Sequence, residues 1–183
     1  MRRLIPAISL AVLLTLSTAF AAPTHAGWRA DVPAAQLCGQ GDFRMIGFLI
    51  YTAQMWRACD AANQAAPFAT PFALKLIYHR HITRARLVQS SLDEITRMAA
   101  HPIDAATLQQ WRTAMQRAFV GVAPGDSITG VFLPGQGARF YADGRLTATI
   151  DDPAFAKRFF GIWLDRDTRA PGLRRHLLGR ASS

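Results

Sequence analysis

Arg44 is the residue whose type and position in the sequence could bind an anionic group. Arg44 follows the glycines Gly39 and Gly41 and enters an apolar stretch with the composition of a β-strand. A guanidinium is costly to bury unless it meets an anion, and its planar fork matches a carboxylate or an enolate. Arg44 is therefore a candidate anchor for the polar end of a ligand. The alternative is an arginine that reaches solvent or pairs with an aspartate.

The sequence lacks the common signatures of catalytic and metal sites. It has no Gly-x-Ser-x-Gly elbow, Walker loop, Gly-x-Gly-x-x-Gly fingerprint or His-Glu-x-x-His motif. His79 and His81 would share one face of a strand, but no Cys or Glu lies close in sequence to complete a metal site. Glu94 is the single glutamate and adjoins Asp93 on a predicted helix, where adjacent side chains diverge. We therefore expect neither a metal ion nor another cofactor.

Cys38 and Cys59 flank the first two predicted strands. Antiparallel pairing of residues 37–45 with residues 47–56 would bring the two cysteines together, and an exported chain would meet an oxidising compartment. A disulfide is one interpretation of the pair. The other is two small buried apolar side chains.

Three strands and then two helices are predicted in the first part of the chain. Apolar residues alternate or cluster in the strands, which cover residues 37–45, 47–56 and 72–78. Thr83 and Asp104 are suited to cap the two helices, in which apolar residues recur every three or four positions.

Three more strands and a helical end follow. The pair Asp143-Gly144 predicts a tight hairpin turn, and Asp152-Pro153 predicts the start of a helix that is apolar nearly all round. The strands are predicted at residues 127–133, 139–142 and 145–150. Strands, helices, strands and a helical end together indicate an α+β domain.

The N-terminus has the pattern of a secretory signal peptide. A short basic start precedes an apolar segment, and Ala19-Phe20-Ala21 has the small-x-small form that signal peptidase accepts. We expect residues 1–22 to form the signal peptide, with cleavage after Ala21 or Ala22 and Ala26 as a later possible site. The alternative is that the segment is retained as a membrane anchor. Residues 23–183 would then form a single domain that is periplasmic or secreted.

Composition and charge limit the partners. Of the 183 residues 50% are hydrophobic and 18% charged, which excludes a disordered chain. The formal net charge is +9, or +7 without Arg2 and Arg3, and the arginines are dispersed instead of forming the runs typical of nucleic-acid-binding segments. We therefore expect no nucleic-acid partner and a monomer. The dispersed charge would allow weak contact with an anionic membrane.

Six short motifs follow one another after the predicted leader. They are Leu37-Cys38-Gly39-x-Gly41-x-x-Arg44, Phe48-x-Ile50-Tyr51-x-Ala53-x-Met55, Gly125-Asp126, Phe140-Tyr141-x-Asp143-Gly144, Phe159-Phe160-x-Ile162-Trp163-Leu164-Asp165 and Leu177-Leu178-Gly179. Their order and spacing resemble the exported bacterial branch of the chalcone isomerase-like family. The resemblance implies the chalcone isomerase-like fold, an antiparallel β-sheet with a helical layer packed on one face and an apolar cleft between them.

The resemblance also implies functions. Plant relatives close a flavonoid ring, other relatives hold fatty acids, and an arginine in the position of Arg44 contacts the polar end. It implies a small apolar or amphipathic ligand, fatty-acid-like, anchored by Arg44 and contacted by Tyr51 and Thr83; residues 81–91 contain neither the tyrosine nor the asparagine of the plant enzymes. An active isomerase, an intramolecular lyase, would instead use Arg44 on an enolate, with Tyr51 or Tyr78 as hydrogen-bond donors. A third alternative is a structural or envelope-assembly partner with a filled cleft.

Overall fold

A computed structural model describes residues 27–60 and 65–179, so the predicted signal peptide lies outside the described residues. Six strands form one antiparallel sheet in which each strand pairs with the next along the chain. The strands are β1 (Gln36–Met45), β2 (Phe48–Arg57), β3 (Phe72–Tyr78), β4 (Ser127–Leu133), β5 (Gly137–Ala142) and β6 (Arg145–Ile150). Strand β5 begins two residues earlier than predicted, because Gly137 already pairs with Leu133.

Among the elements whose bounds the structure describes, four α-helices accompany the sheet: α1 (Arg84–Arg97), α2 (Ala105–Ala118), α3 (Pro153–Leu164) and α4 (Pro171–Leu177). The side chains of Thr83, Asp104 and Asp152 each accept a hydrogen bond from the backbone amide three residues ahead, so all three predicted caps are confirmed. In the described part of the chain, no helix combines the length and apolar character needed to cross a membrane.

Two hairpin turns lie at the same end of the sheet. Asp143 and Gly144 have φ angles of 46° and 83° and connect β5 to β6, which confirms the predicted tight turn. Ile46 and Gly47 have φ angles of 49° and 80° and connect β1 to β2. The second turn therefore places a β-branched residue where glycine or asparagine is usual.

The helices cover one face of the sheet and bury the main core there. Helix α3 packs on β4 and β5 and buries Phe155, Phe159 and Phe160 among the inward side chains of the strands. The ring of Phe160 lies against Gly130, where a Cβ atom would come within 2.9 Å of it. This arrangement confirms the predicted α+β class and the helical layer on one face.

The opposite face is partly covered by the segment before β1, which the sequence did not predict. Trp28 and Val32 are buried there against inner strands of the sheet. The side chain of Asp31 accepts hydrogen bonds from Arg139 and Tyr141 on β5. These contacts join residues more than a hundred positions apart, so local sequence patterns do not reveal them.

Helix α4 packs on the edge strand β1. A Cβ atom at Gly39 would lie 2.0 Å from the backbone oxygen of His176, and one at Gly41 would lie 2.9 Å from the Leu173 side chain. Only glycine allows this approach. The two glycines before Arg44 therefore make room for a helix of the same chain.

Candidate functional site

A cavity of about 750 Å³ lies between the inner face of strands β1 to β5 and the helices α1 and α3. Ligand pockets in proteins commonly measure roughly 300 to 1,000 Å³. Most of its wall is aliphatic or aromatic: Phe43, Met45, Ile50, Leu74, Leu76, Ile82, Leu87, Phe119, Ile128, Phe140, Phe159, Phe160, Ile162, Trp163 and Ala170. The wall can therefore hold the apolar part of a small molecule.

Two tyrosine hydroxyls lie on the wall of the cavity. Tyr51 on β2 and Tyr78 on β3 are paired in register, and their rings meet edge to face with centroids 5.9 Å apart. The indole Nε1 of Trp163 donates a 3.0 Å hydrogen bond to the Tyr51 hydroxyl oxygen. Tyr78 is buried, and its hydroxyl has no hydrogen-bond partner among the described residues. The hydroxyl is therefore available to a group that enters the cavity.

Both tyrosines stay neutral in ordinary conditions. Burial raises the pKa of Tyr51 well above its usual value, although the hydrogen bond from Trp163 opposes part of that rise. Burial also raises the pKa of Tyr78. Neutral phenols can donate hydrogen bonds to a carboxylate, carbonyl or enolate oxygen, but a phenolate base is not accessible here.

Cations lie along the exposed rim of the cavity. Arg80 follows β3 and Arg86 lies in the first turn of α1; both line the cavity, and neither side chain forms an ion pair within residues 27–60 and 65–179. Arg169 is different because its Nε lies 3.0 Å from Glu94, which also binds Arg97. Arg80 and Arg86 are thus the rim cations available to a ligand anion.

The prediction that Arg44 reaches the cleft is corrected by its position on β1. Phe43 and Met45 line the cavity, but the alternation of a strand turns Arg44 to the outer face. Its side chain is more than half exposed, lies 3.5 Å from Asp42 and donates to the backbone oxygen of Gly47 at 3.4 Å. Arg44 therefore follows the alternative interpretation of the sequence, in which it pairs with an aspartate at the surface.

Of the other predicted site residues, Tyr51, Tyr78 and Thr83 do line the cavity together. The Thr83 hydroxyl oxygen is already used, because it accepts the capping bond from the Arg86 amide at 3.2 Å. Its hydrogen remains for a ligand. Thr83 is therefore a rim contact and Tyr78 an interior one.

Of the remaining candidates, Cys38, Cys59 and His79 lie outside the cavity. Cys38 and Cys59 form a disulfide with their Cα atoms 5.3 Å apart, at the end of β1 and β2 far from the hairpin turn. The Nε2 of His79 lies 3.0 Å from the Thr52 hydroxyl, whereas His81 is exposed at the cavity rim. Among the described residues, no cluster of three or more His, Cys, Asp or Glu side chains could hold a metal ion.

Sequence reasoning missed Arg80, Arg86 and Trp163 as parts of the site. For the two arginines a signal existed. Residues 79–92 contain three arginines and no acid, and they connect a buried strand to a helix cap. For Trp163 there was none, because its bond to Tyr51 joins residues 112 positions apart.

The family model described as chalcone isomerase-like matches residues 35–179. The chain belongs to the chalcone isomerase-like family. No curated protein matches the sequence. The crystal structure of a fatty-acid binding protein from Arabidopsis thaliana is similar, with a TM-score of 0.59, 11% sequence identity, and coverage of 79% of this chain and 87% of that chain. At this identity the likeness shows that the two share the chalcone isomerase-like fold.

Proposed function

We propose that this chalcone isomerase-like protein is exported and binds a small amphipathic molecule, with an apolar part and an anionic or carbonyl end, such as a fatty acid. The observation that carries the proposal is the apolar cavity of about 750 Å³ with the unpartnered hydroxyl of buried Tyr78 on its wall. The apolar part would lie against the phenylalanines of α3. The fatty-acid ligand of the similar Arabidopsis protein agrees with this proposal.

The polar end of the ligand would be held by Tyr78, Tyr51 and the rim cations Arg80 and Arg86, in place of Arg44. The two arginines have no acidic partner in the described part of the chain and carry their charge to the cavity rim. Arg86 also lies at the N-terminus of α1, where the backbone amides favour an anion. A carboxylate here would gain charge-assisted hydrogen bonds.

Export is supported by two independent features. Residues 1–22 have the pattern of a signal peptide, and Cys38 and Cys59 are joined by a disulfide. Disulfides persist mainly in oxidising compartments. A reporter fusion to residues 1–26, assayed for leader cleavage and release from the cytoplasm, tests this part; an uncleaved fusion that stays in the cytoplasm would contradict it.

The binding experiment compares Tyr78 and Arg86 as anchors of the polar end of the ligand. Protein is stripped of bound lipid and titrated with a fluorescent polyene fatty acid, and co-purifying acids are identified by native mass spectrometry. We expect Tyr78→Phe to weaken binding about threefold to tenfold and Arg86→Ala about tenfold or more, because a neutral and a charge-assisted hydrogen bond are lost. Arg44→Ala is the matched control and should bind like the wild type. Absence of saturable binding to the wild type would overturn the proposal.

An isomerase is the second candidate, favoured by the pair of neutral tyrosine donors. Tyr51 and Tyr78 could stabilise an enolate oxygen between their hydroxyls. Ring closure of a hydroxylated chalcone should then exceed the spontaneous rate and fall in the Tyr51→Phe/Tyr78→Phe double variant. Equal rates with and without protein would exclude this activity for that substrate. A purely structural role would need a filled cleft, which the open cavity does not favour.

A further inference from the structure

The hairpin turn between β1 and β2 carries an exposed apolar tip, formed by Met45, Ile46 and Phe48. Their exposed fractions are 52%, 92% and 60%. In the described chain, no other large apolar side chains in neighbouring positions are as exposed. Single exposed apolar residues are common on protein surfaces, but a contiguous group marks a site of contact.

Folding alone does not account for the identity of Ile46. Its φ of 49° is in the left-handed region, where a β-branched side chain is strained and asparagine or glycine is favoured. The side chain also has almost no contact with the rest of the protein, because it is 92% exposed. Ile46 therefore adds strain to the turn without adding to the core, and its apolar surface is available to something outside the chain.

Two arginines flank the tip. Arg44 lies beside it, and the Arg80 guanidinium lies over the Phe48 ring, 5.2 Å from the ring centroid. The segment 79–92, which contains Arg80, leaves β3 at the same end of the sheet and contains no acid. Asp42 is the nearby acid and it is paired with Arg44. An apolar tip flanked by two arginines matches the apolar interior and anionic headgroups of a phospholipid surface.

The tip is continuous with the mouth of the cavity. Met45 belongs to the tip and lines the cavity, and Arg80 contacts the tip and also lines the cavity. A bilayer against the tip would therefore adjoin the route by which an amphipathic molecule could enter.

We propose that the β1–β2 hairpin tip docks the protein on an anionic phospholipid membrane, with Ile46 and Phe48 inserted among the headgroups and Arg44 and Arg80 against the phosphates. Docking does not require the proposed cavity ligand. It would, however, place the cavity mouth at the membrane surface. Weak, reversible attachment is expected, because few apolar side chains take part.

Vesicle flotation tests the proposal with the full mature chain. The wild type should float with vesicles of phosphatidylglycerol and phosphatidylcholine in equal parts, should not float with phosphatidylcholine alone, and should be released by high salt. Asparagine suits the turn geometry, so the Ile46→Asn protein should fold at least as well as the wild type. Its vesicle–water partition coefficient should nevertheless be about tenfold lower. Phe48→Thr, which keeps strand propensity, should act in the same direction.

Leu37→Thr is the control, because Leu37 is 44% exposed on the same strand and about 26 Å from Met45 at the rise of a β-strand. It should float like the wild type. Equal flotation of the Ile46→Asn protein, or equal binding to neutral vesicles, would overturn the proposal. A lipid-free dimer that Ile46→Asn converts to a monomer would also overturn it, since the tip would then bind a second copy. Fatty-acid binding is measured separately through Tyr78→Phe, so docking and ligand binding can fail independently.

Discussion

The indole Nε1 of Trp163 donates a hydrogen bond to the hydroxyl oxygen of Tyr51 at 3.0 Å, and so links α3 to β2 across the cavity. An indole can only donate, so the Tyr51 oxygen is the acceptor and its own hydrogen is left for another partner. No other hydrogen-bond partner of the Tyr51 hydroxyl exists in the described chain. Trp163 therefore orients the Tyr51 hydroxyl, and we expect this bond to direct the Tyr51 hydrogen toward the proposed ligand.

Trp163→Phe should weaken fatty-acid binding by about threefold to tenfold while keeping an aromatic ring at the site. Tyr51→Phe should have a similar effect, and the double variant should be little worse than either single one, because both remove the same interaction. Fluorescence titration with the polyene acid measures all three. Trp28→Phe, on the opposite face of the sheet, should leave affinity unchanged. Additive losses in the double variant would contradict this role.

The three tyrosines of the chain should resist ionisation together. Burial raises the pKa of Tyr51 and Tyr78, and burial with the neighbouring Asp31 carboxylate raises the pKa of Tyr141 to about 12. An unfolded tyrosine ionises near pH 10. Tyrosinate absorbance at about pH 10.5 should therefore be low in the native protein and high after unfolding in urea. Ionisation of any tyrosine near pH 10 in the native state would argue against its burial.

Stability should fall on the alkaline side for the same reason. Above about pH 10 these tyrosines hold protons in the native state that the unfolded state releases, so their contribution lowers the free energy of unfolding as pH rises and is absent below that pH. Tyr78→Phe should make this decline shallower. At neutral pH the variant should be about as stable as the wild type, because the Tyr78 hydroxyl forms no hydrogen bond with the described residues. Urea unfolding across pH measures both effects.

The parts of this fold that local chemistry decides could be predicted from the sequence. Thr83, Asp104 and Asp152 cap helices because each short polar side chain accepts a hydrogen bond from a backbone amide in the first turn. Asp143 and Gly144 form a hairpin turn because both residues tolerate a positive φ angle. These outcomes depend on four or five consecutive residues. They were enough to give the α+β class and the order of its elements.

The candidate site is harder to predict from the sequence, because it depends on the register between strands and on the face of the sheet that each side chain occupies. Its motif predicts Arg44 in the cleft, whereas Asp42 and Arg44 flank the apolar Phe43 and lie on the outer face of β1. The pairing of Tyr51 with Tyr78 and the bond from Trp163 are long-range facts. Nothing within one strand or helix could have revealed them.

Removing the disulfide should cost about 3 kcal/mol of unfolding free energy, from the entropy of closing a loop between residues 21 positions apart. Cys38→Ser/Cys59→Ser and the reduced wild type should show the same loss in urea unfolding. Fatty-acid affinity should be retained, because neither cysteine lines the cavity. Equal stability of the oxidised and reduced wild type would contradict the estimate.

Arg57 is the buried charge whose replacement should stabilise the protein. Ala53, Met55 and Arg57 share the inner face of β2, and Arg57 is 1% exposed with no hydrogen-bond partner for any guanidinium nitrogen in the described part of the chain. Burial lowers its pKa, although the charge of Asp60 opposes this. Arg57→Met keeps an apolar stem and removes the charge, so unfolding free energy should rise by about 1 to 3 kcal/mol.

Two further variants separate the charge at this position from its volume. Arg57→Lys retains a buried charge and should give no such gain, while Arg57→Ala leaves a cavity and should be less stable than Arg57→Met. Urea unfolding of the oxidised proteins at neutral pH provides the comparison. If Arg57→Met were less stable than the wild type, the guanidinium would have to be satisfied by a bound anion or water. Added phosphate would then stabilise the wild type and leave the Met variant unchanged, because ligand binding to the native state shifts unfolding by mass action.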